Sequence, residues 1–484
     1  MRGSTALVWF RRDLRLADNP ALSLALAQHQ TVIPVYIHDP DVDHHGVPGA
    51  ASRWWLHRSL LALDQELRRL GSRLQIIDGP AVERLPALAR HVQAHTVTWN
   101  RLYEPASVAR DATVEAALTR QGVAVSHHPG ALLAEPTELH TATGTPYRVY
   151  TPYWKAHRRD VTRPLPLEAP AALPAPPDLP GAISVDHLDL LPAIPWYAGL
   201  ADHWCAGERG AFDALAAFDC RAIGRYGEDR DRPDHAGTSR LSPHLHFGEI
   251  TPGQVALAIQ NAASDAAAEP FLRQLVWRDF AHHLLHHFPH TVTEPFNPRF
   301  AAFPWRQDAA EDLERWQRGR TGIPLVDAGM RELWHTGWMH NRVRMAVASL
   351  LTKNLLIHWR QGEAWFRDTL VDADVANNVM GWQWTAGSGA DAAPYFRIFN
   401  PVRQGQRFDP KGLYVRRWVP ELAGLPDRYL HCPWEAPATA LQVAGVTLDR
   451  EYPAPMVDLK ASRERALEAY GEVKGGMEKK VNRE

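Results

Sequence analysis

The sequence predicts an α/β N-terminal domain built on a doubly wound parallel sheet, followed across a long Pro-rich linker by an all-α C-terminal domain. Three observations carry that expectation. Short β-branched runs alternate with helical apolar spacing over residues 1–135, nine prolines fall within residues 161–195, and beyond residue 204 helical periods replace the strand pattern.

The candidate strands are Ala6–Phe10, Thr31–Ile37, Leu74–Ile77, Thr96–Trp99 and Val123–Ser126, short runs rich in β-branched or aromatic residues. Between the second and third, Leu56, Leu60, Leu63, Leu67 and Leu70 recur at three- and four-residue intervals, the stripe of an amphipathic helix. Strands that alternate with helices pair in parallel, and such a sheet offers a ligand crevice at the carboxyl ends of its strands. The first strand runs into Trp9-Phe10-Arg11-Arg12-Asp13-Leu14-Arg15-Leu16 rather than G-x-G-x-x-G, which disfavours an ordinary dinucleotide-binding domain. The expected divisions are residues 1–135 for the sheet domain, 136–203 for the linker, 204–470 for the helical domain and 471–484 for a disordered polar tail.

The 484-residue chain carries 53 Lys+Arg against 55 Asp+Glu and is 45% hydrophobic, enough to bury a sizeable core and to exclude global disorder. No run approaches the ~20 apolar residues that cross a bilayer, and Met1–Phe10 lacks the pattern of a secretory leader. Cys205, Cys220 and Cys432 are too scattered for a disulfide framework or a cysteine-rich zinc site. The expectation is a cytoplasmic monomer. Its near-zero net charge leaves nucleic acid open as a partner, because binding depends on how charge is distributed over a face.

Gly237-Thr238-Ser239-Arg240-Leu241-Ser242-Pro243 sets three hydroxyls at a helix entry, where free backbone N–H groups bind phosphate; a plain capped helix uses the same residues. On a helix over Phe271–His287, Gln274, Trp277, Arg278 and Ala281 share a face. That face is either a stacking platform with a phosphate or flavin contact, or a packed indole beside a snorkelling arginine. His282, His283, His286 and His287 have i, i+4 spacing but no H-E-x-x-H glutamate and no evident third ligand. They are read as surface or interdomain residues, and no metal is expected. Asn341, Arg344, Met345 and Ala348 share a second helical face, with Arg342 about 100° away. Asp372 and Asp374 are read at a helix start, either as an acid–base pair or, more plainly, as a cap or a partner of Arg344. Finally, Arg397, Arg403, Arg407, Lys411, Arg416 and Arg417 face Asp409 alone. Such a run is ordinarily solvated surface; beside Trp382 and Trp384 it also reads as a phosphate-tracking rim.

Taken together, Trp9–Leu16, Thr238–Ser242, Trp277-Arg278-Asp279-Phe280, Gly337–Met345, Trp382-Gln383-Trp384 and Asp391–Pro401 resemble, in one order along residues 5–470, the photolyase/cryptochrome family. The resemblance is strongest to its class I cyclobutane pyrimidine dimer photolyases. It implies an antenna domain, a linker and a helical FAD-binding domain, and light-driven repair of UV-damaged DNA by electron transfer from excited reduced FAD to a flipped-out pyrimidine dimer. By position, the resemblance places Tyr226, Thr238, Ser239, Arg240, Leu241 and Ser242 on the flavin pyrophosphate side. Arg278, Asn341, Arg344, Asp372, Asp374 and Asn378 match residues around the isoalloxazine, ribose and adenine, with Asn378 facing flavin N5 where plant cryptochromes place Asp. Trp277 and Trp384 match two indoles that wedge around the flipped dimer, with Asn341 and Met345 below. Arg230, Arg342, Arg397 and Gln404 match DNA contacts, and Trp382, Trp359 and Trp305 match the relay that photoreduces FAD.

Gln274 departs from the pattern: cyclobutane-dimer enzymes commonly carry Glu there, whereas Gln offers a donor but no proton. Asn341 and Met345 stand where (6-4) photolyases have histidines. The resemblance therefore implies cyclobutane specificity, with a (6-4) photolyase or a signalling cryptochrome without repair as the alternatives. A generic flavin oxidoreductase leaves the basic rim and the paired indoles unexplained. A second, antenna chromophore (deazaflavin, FMN or methenyltetrahydrofolate) is also implied. Folate-binding relatives carry Glu and Lys near Thr113 and Thr293, which this chain lacks; for a deazaflavin or second flavin the expected neighbours are Arg53 and Glu104.

Overall fold

The computed structural model describes residues 4–39, 48–392, 394, 395 and 397–481. Strands form where the β-branched runs place them: β1 Thr5–Phe10, β2 Thr31–His38, β3 Gln75–Asp78, β4 Thr96–Asn100 and β5 Ala124–His128. All pair in parallel in the order β3-β2-β1-β4-β5. The order reverses between β1 and β4, the switch point at which doubly wound sheets offer a crevice. Pro34, with no N–H to give, sits opposite Val8, one residue before the β2–β3 ladder starts at Val35.

Helices cover both sheet faces, so β1 is apolar on both. Ala6, Val8 and Phe10 pack with α1 Pro20–Gln28 and α2 Ala50–Arg69, while Leu7 and Trp9 pack with α3 Ala81–His91 and α4 Pro105–Arg120. Asn19 starts α1 by accepting the Leu22 N–H at 3.1 Å, with Pro20 in the first turn, where its missing N–H costs nothing. The apolar stripe of α2 is buried at Leu56, Leu60, Leu63 and Leu67, and Trp54 and Trp55 join it.

The linker does more than cross between domains. It holds α5 Tyr150–Asp160 and α6 Ala198–His203. Leu173, Val185, Leu188 and Leu190 insert into the α1–α2 core and Leu179 into the opposite one, while Ile183 bridges to Ile76. Proline lowers the number of backbone donors that such an extended, core-covering segment must satisfy.

Beyond the linker come α7 Glu208–Arg221, α8 Tyr226–Asp229, α9 Ser242–His246, α10 Pro252–Ala262, α11 Asp265–His287, α12 Ala310–Gln317, α13 Pro324–Thr336 and α14 Asn341–Ser349. They are followed by α15 Trp359–Thr369, α16 Val375–Ala386, α17 Pro401–Phe408, α18 Leu413–Trp418, α19 Asp427–Leu430, α20 Ala438–Ala444 and α21 Leu459–Val481. By compactness, residues 1–224, 239–289 and 371–376 form one unit, and residues 225–238, 290–370 and 377–484 form another. The sheet thus groups with α7 and α9–α11, so the helical sequence beyond residue 204 does not cluster as one body.

Residues 471–481, expected as disordered, continue α21. Ala466 and Ala469 anchor that helix against Phe300, Phe303 and Tyr395, and it continues through Gly471, Gly475 and Gly476 despite their poor helix propensity. Residues 482–484 lie outside the described residues. Among the described residues no helix is long and apolar enough to cross a membrane.

Leu60 is fully buried in the α1–α2 core, whereas the adjacent Leu61 is 40% exposed. Leu60→Ala is expected to cost about 2–5 kcal/mol in urea unfolding followed by tryptophan fluorescence, and Leu61→Ala less than about 0.5 kcal/mol.

Candidate functional site

In the second unit, α15 and α16 meet at a glycine. A Cβ on Gly362 would stand 2.0 Å from the Trp382 ring, so the indole lies on bare helix backbone. Trp382 is buried, with Phe366 at 5.0 Å and Trp316 at 6.1 Å, both edge-on. One helical turn earlier, the Asn378 amine donates to the Glu363 carbonyl at 3.2 Å and to Glu363 Oε1 at 3.0 Å. Both amine protons are thereby engaged, and the amide oxygen is the group left to act as an acceptor. At Gly381, three residues on, an added Cβ would meet nothing within 4 Å. Trp359, buried at the head of α15, stacks with His358 at 5.6 Å, and His358 lies 5.0 Å from Trp305. Trp305 is partly exposed while Trp316 is fully buried, so of these two Trp305 is the one able to exchange charge with solvent.

The start of α14 is set by buried His340, whose Nδ1 accepts the Arg342 N–H at 3.2 Å. Burial pushes the His340 pKa down to about 4, so the ring stays neutral and able to accept. Asn341 is exposed with its amide 4.0 Å from the Met345 sulfur, the pairing that helical spacing predicts. Arg342 reaches Asp231 at 2.6 Å and covers the Phe408 ring at 4.5 Å. Arg344 turns back to donate to the Met339 carbonyl at 2.7 Å. Tyr226 is buried under the Arg230 guanidinium, 5.6 Å from its ring centre. Trp384 is half-buried and stacks on Phe399 at 6.4 Å.

The basic stretch 397–417 proves asymmetric. Its one acid, Asp409, is fully buried and accepts the Tyr414 and Val415 N–H groups at 3.1 and 3.0 Å; burial raises its pKa to about 6. Arg416 is tied to Asp427 at 2.7 Å. Arg397, Arg403, Arg407, Lys411 and Arg417 are exposed, so the stretch shows solvent cations without carboxylates of its own. Gln404 is half-buried with its Oε1 unpartnered. Ala393 and Phe396 of the Asp391–Pro401 motif lie outside the described residues.

In the first unit, α11 carries Gln274, Trp277 and Arg278. Trp277 stacks on Tyr150 of α5 at 3.6 Å and 9°, and the Tyr150 hydroxyl donates to the Arg273 carbonyl at 2.7 Å, which holds the pair flat. Gln274 Nε2 donates to the Pro270 carbonyl at 3.2 Å. Arg278 donates to the carbonyls of Leu245, at 3.2 Å, and Ala131. Ser239 Oγ accepts the Leu241 N–H at 3.4 Å, and Ser242 opens α9 with Pro243 in its first turn. Between them Arg240 has φ 54° and lays its guanidinium 5.3 Å from the Trp204 ring. Thr238, the remaining hydroxyl of that motif, belongs to the second unit.

Asp372 and Asp374 precede α16, as their spacing predicts. Asp374 stands 3.4 Å from His282 Nε2 and 3.8 Å from His246 Nδ1. Burial pushes its carboxyl up, but the two histidines outweigh burial and hold it well below the usual carboxylate range. Of the surface and interdomain alternatives for the α11 histidines, the surface one is corrected for two of them. His282 and His283 are buried because the second half of α11 is packed on nearly all sides. Glu104, His282 and Asp374 bring one ligand-type atom each within 4.8 Å of one another. No motif search could find that grouping, since its members are far apart in sequence. Glu104 is also ion-paired with Arg12 and buried, so it does not stand open as an antenna neighbour; Arg53 donates to the Pro48 carbonyl at 3.3 Å. At the switch point, Asp13 accepts the Arg11 N–H and the Asn100 amide, each at 2.6 Å, knitting the ends of β1 and β4 together.

The comparisons with known proteins agree with this architecture. A family model described as DNA photolyase matches residues 6–176, and one described as the FAD binding domain of DNA photolyase matches residues 271–472. A deoxyribodipyrimidine photo-lyase from Agrobacterium fabrum is 48% identical over 478 residues, covering 98% of this chain and 99% of its own. Cryptochrome-2 of Arabidopsis thaliana is 38% identical over 479 residues, covering 96% and 78% respectively. The crystal structure of a bacterial class III photolyase from Agrobacterium tumefaciens matches with a TM-score of 0.94 at 48% identity, covering 98% of each chain. A parallel α/β region followed by a helical FAD-binding region defines the class of protein. The chain belongs to the photolyase/cryptochrome family. The structural relative is of class III, and the class I expectation finds no support beside it.

Two glycines test the packing. Gly362→Ala forces a methyl into the Trp382 ring and is expected to cost about 1–3 kcal/mol. Gly381→Ala meets open space on a helix and is expected to be neutral or to stabilise by up to about 1 kcal/mol. Thermal melts of the FAD-free variants check both.

Proposed function

We propose that this protein repairs cyclobutane pyrimidine dimers in DNA under blue light, with FAD as its redox cofactor. The observation that carries the reading is the Asn378 amide, fixed by Glu363 on the helix that also bears Trp382 and Trp384. When bound, FAD would supply light-driven one-electron chemistry, and this chain's residues would hold and orient it. The residues fit that group. With its amine held by Glu363, Asn378 would have its amide oxygen free to accept from a flavin N–H and, unlike an aspartate there, would add no negative charge. The open backbone at Gly381 leaves room for a flat ring beside that amide.

Arg278, Arg344, Asn341, Asp372, Asp374, Tyr226, Thr238, Ser239, Arg240, Leu241 and Ser242 are assigned to FAD. Trp382, Trp359 and Trp305 are assigned to the relay, where indole serves because it is oxidisable and polarisable. Trp277 and Trp384 offer large apolar planes, each backed by a second ring, to a dimer that lacks a normal hydrogen-bonding outline. Gln274, Asn341 and Met345 complete the dimer contacts. Arg230, Arg342, Arg397 and Gln404 are assigned to the DNA backbone; Arg397 is exposed to solvent, while Arg342 would exchange its Asp231 partner for a phosphate. Residues 1–135 serve as an antenna domain, 136–203 as linker and 204–470 as the flavin and DNA region, and the protein works as a cytoplasmic monomer. A second chromophore is assigned to the carboxyl end of the sheet, and the absorption spectrum of the purified protein identifies it.

The likeness to a plant cryptochrome makes signalling without repair the competing reading; Asn at 378 favours repair. Irradiated oligothymidine tests the choice through recovery of thymine absorbance. We expect recovery under blue light with reduced FAD, none in the dark, and weaker lesion binding in Trp384→Ala by about 1–3 kcal/mol. Repair confined to (6-4) products contradicts the substrate assignment, and no repair of either lesion favours the signalling reading.

A further inference from the structure

Lys353 occupies an unfavourable place for a cation. It lies in the π-helical turn Leu350–Asn354 that prolongs α14, and it is fully buried. Turns of this kind often mark functional sites. Its ammonium donates to the carbonyls of Tyr395 at 3.2 Å and Arg397 at 3.0 Å, and stands 5.0 Å from the Tyr395 ring centre. Both carbonyls belong to the irregular stretch between α16 and α17.

Within that stretch Tyr395 is buried, stacked on Tyr470 at 4.5 Å and packed against Phe300 and Phe303, whereas Arg397 is exposed. The same loop is held a second time where Ser349 Oγ accepts the Phe399 N–H at 3.1 Å. Burial, and then the Arg397 charge, lower the Lys353 pKa to about 7. The other ionisable groups around the turn are Arg465 of α21, which donates to the Asn354 carbonyl at 2.6 Å, and the phenols of Tyr395 and Tyr470. No carboxylate offsets the ammonium among the groups that set its charge state. An apolar side chain would fill this core without the desolvation cost. What the cation adds is a two-pronged hold on a stretch whose described residues lie outside any helix or strand.

We propose that Lys353 is a positioning residue for DNA binding: its ammonium ties down the Tyr395 and Arg397 carbonyls and so fixes the loop from which Arg397 reaches a DNA phosphate. This rests on the DNA-repair reading above. Pre-ordering the loop removes an entropy loss that binding would otherwise carry.

The test uses the full-length FAD-loaded protein and a single-stranded oligothymidine with one cyclobutane dimer, its affinity measured across a salt series. Lys353→Met is expected to weaken binding about tenfold and to lower the slope of log affinity against log salt by about 0.7, the loss of one phosphate contact. Dimer splitting in the saturated complex stays unchanged. Arg397→Ala lowers the affinity and the salt slope by the same amounts, and the double variant binds no more weakly than Arg397→Ala alone. Lys353→Gln keeps a donor without the charge and recovers part of the loss; it also serves should the Met variant fail to load FAD. Wild-type affinity declines as pH rises through about 7, where the ammonium gives up its proton, and Lys353→Met lacks this decline. Additive losses in the double variant, or unchanged affinity and slope in Lys353→Met, overturn the proposal. Wild-type protein that does not bind the dimer at all overturns instead the reading on which it rests.

Discussion

The direct seating of the Trp382 indole on the backbone of α15 at Gly362 constrains the rest of the site. Only glycine leaves room for that approach, and the same pair of helices brings the Glu363 carboxylate to Asn378. Helix spacing, indole position and amide orientation are therefore not independent choices. Displacing α15 by a methyl's width moves the indole and releases the amide together.

Around this contact the chain separates charge by burial. Groups that hold the frame are buried and mutually satisfied: Asp409 on the backbone of α18, Asp374 between His282 and His246, Lys353 on two carbonyls. Cations meant for solvent or a polyanion stay exposed, with Arg397, Arg403 and Arg407 the clearest cases. Buried charges without such partners would cost several kcal/mol each, so their pairing is a condition of folding rather than an ornament of function.

Features with a local period or motif were legible in the sequence. The five strands fall within a residue or two of their runs, and Asn341 meets Met345 because i, i+4 spacing on a helix makes them neighbours. The unread features are partnerships between distant residues. Glu363 behind Asn378, Tyr150 beneath Trp277, Asp231 on Arg342 and Glu104 beside His282 have no signature in the spacing of either partner. The surface alternative failed for His282 and His283 because polarity stands for exposure in a pattern, and it fails where a carboxylate or backbone partners wait inside. Proline content likewise marked the linker as extended but not the leucines it carries into the sheet core.

The most direct test of the account is transient absorption of the oxidised, FAD-loaded protein with Trp382 replaced by Phe, alongside repair by the same variant reduced chemically beforehand. Photoreduction is predicted to be lost while repair by the pre-reduced protein persists, since the proposed role of the indole is to pass electrons to the cofactor and not to contact the dimer. Photoreduction at the wild-type rate would contradict the assignment of Trp382 as the first member of the relay.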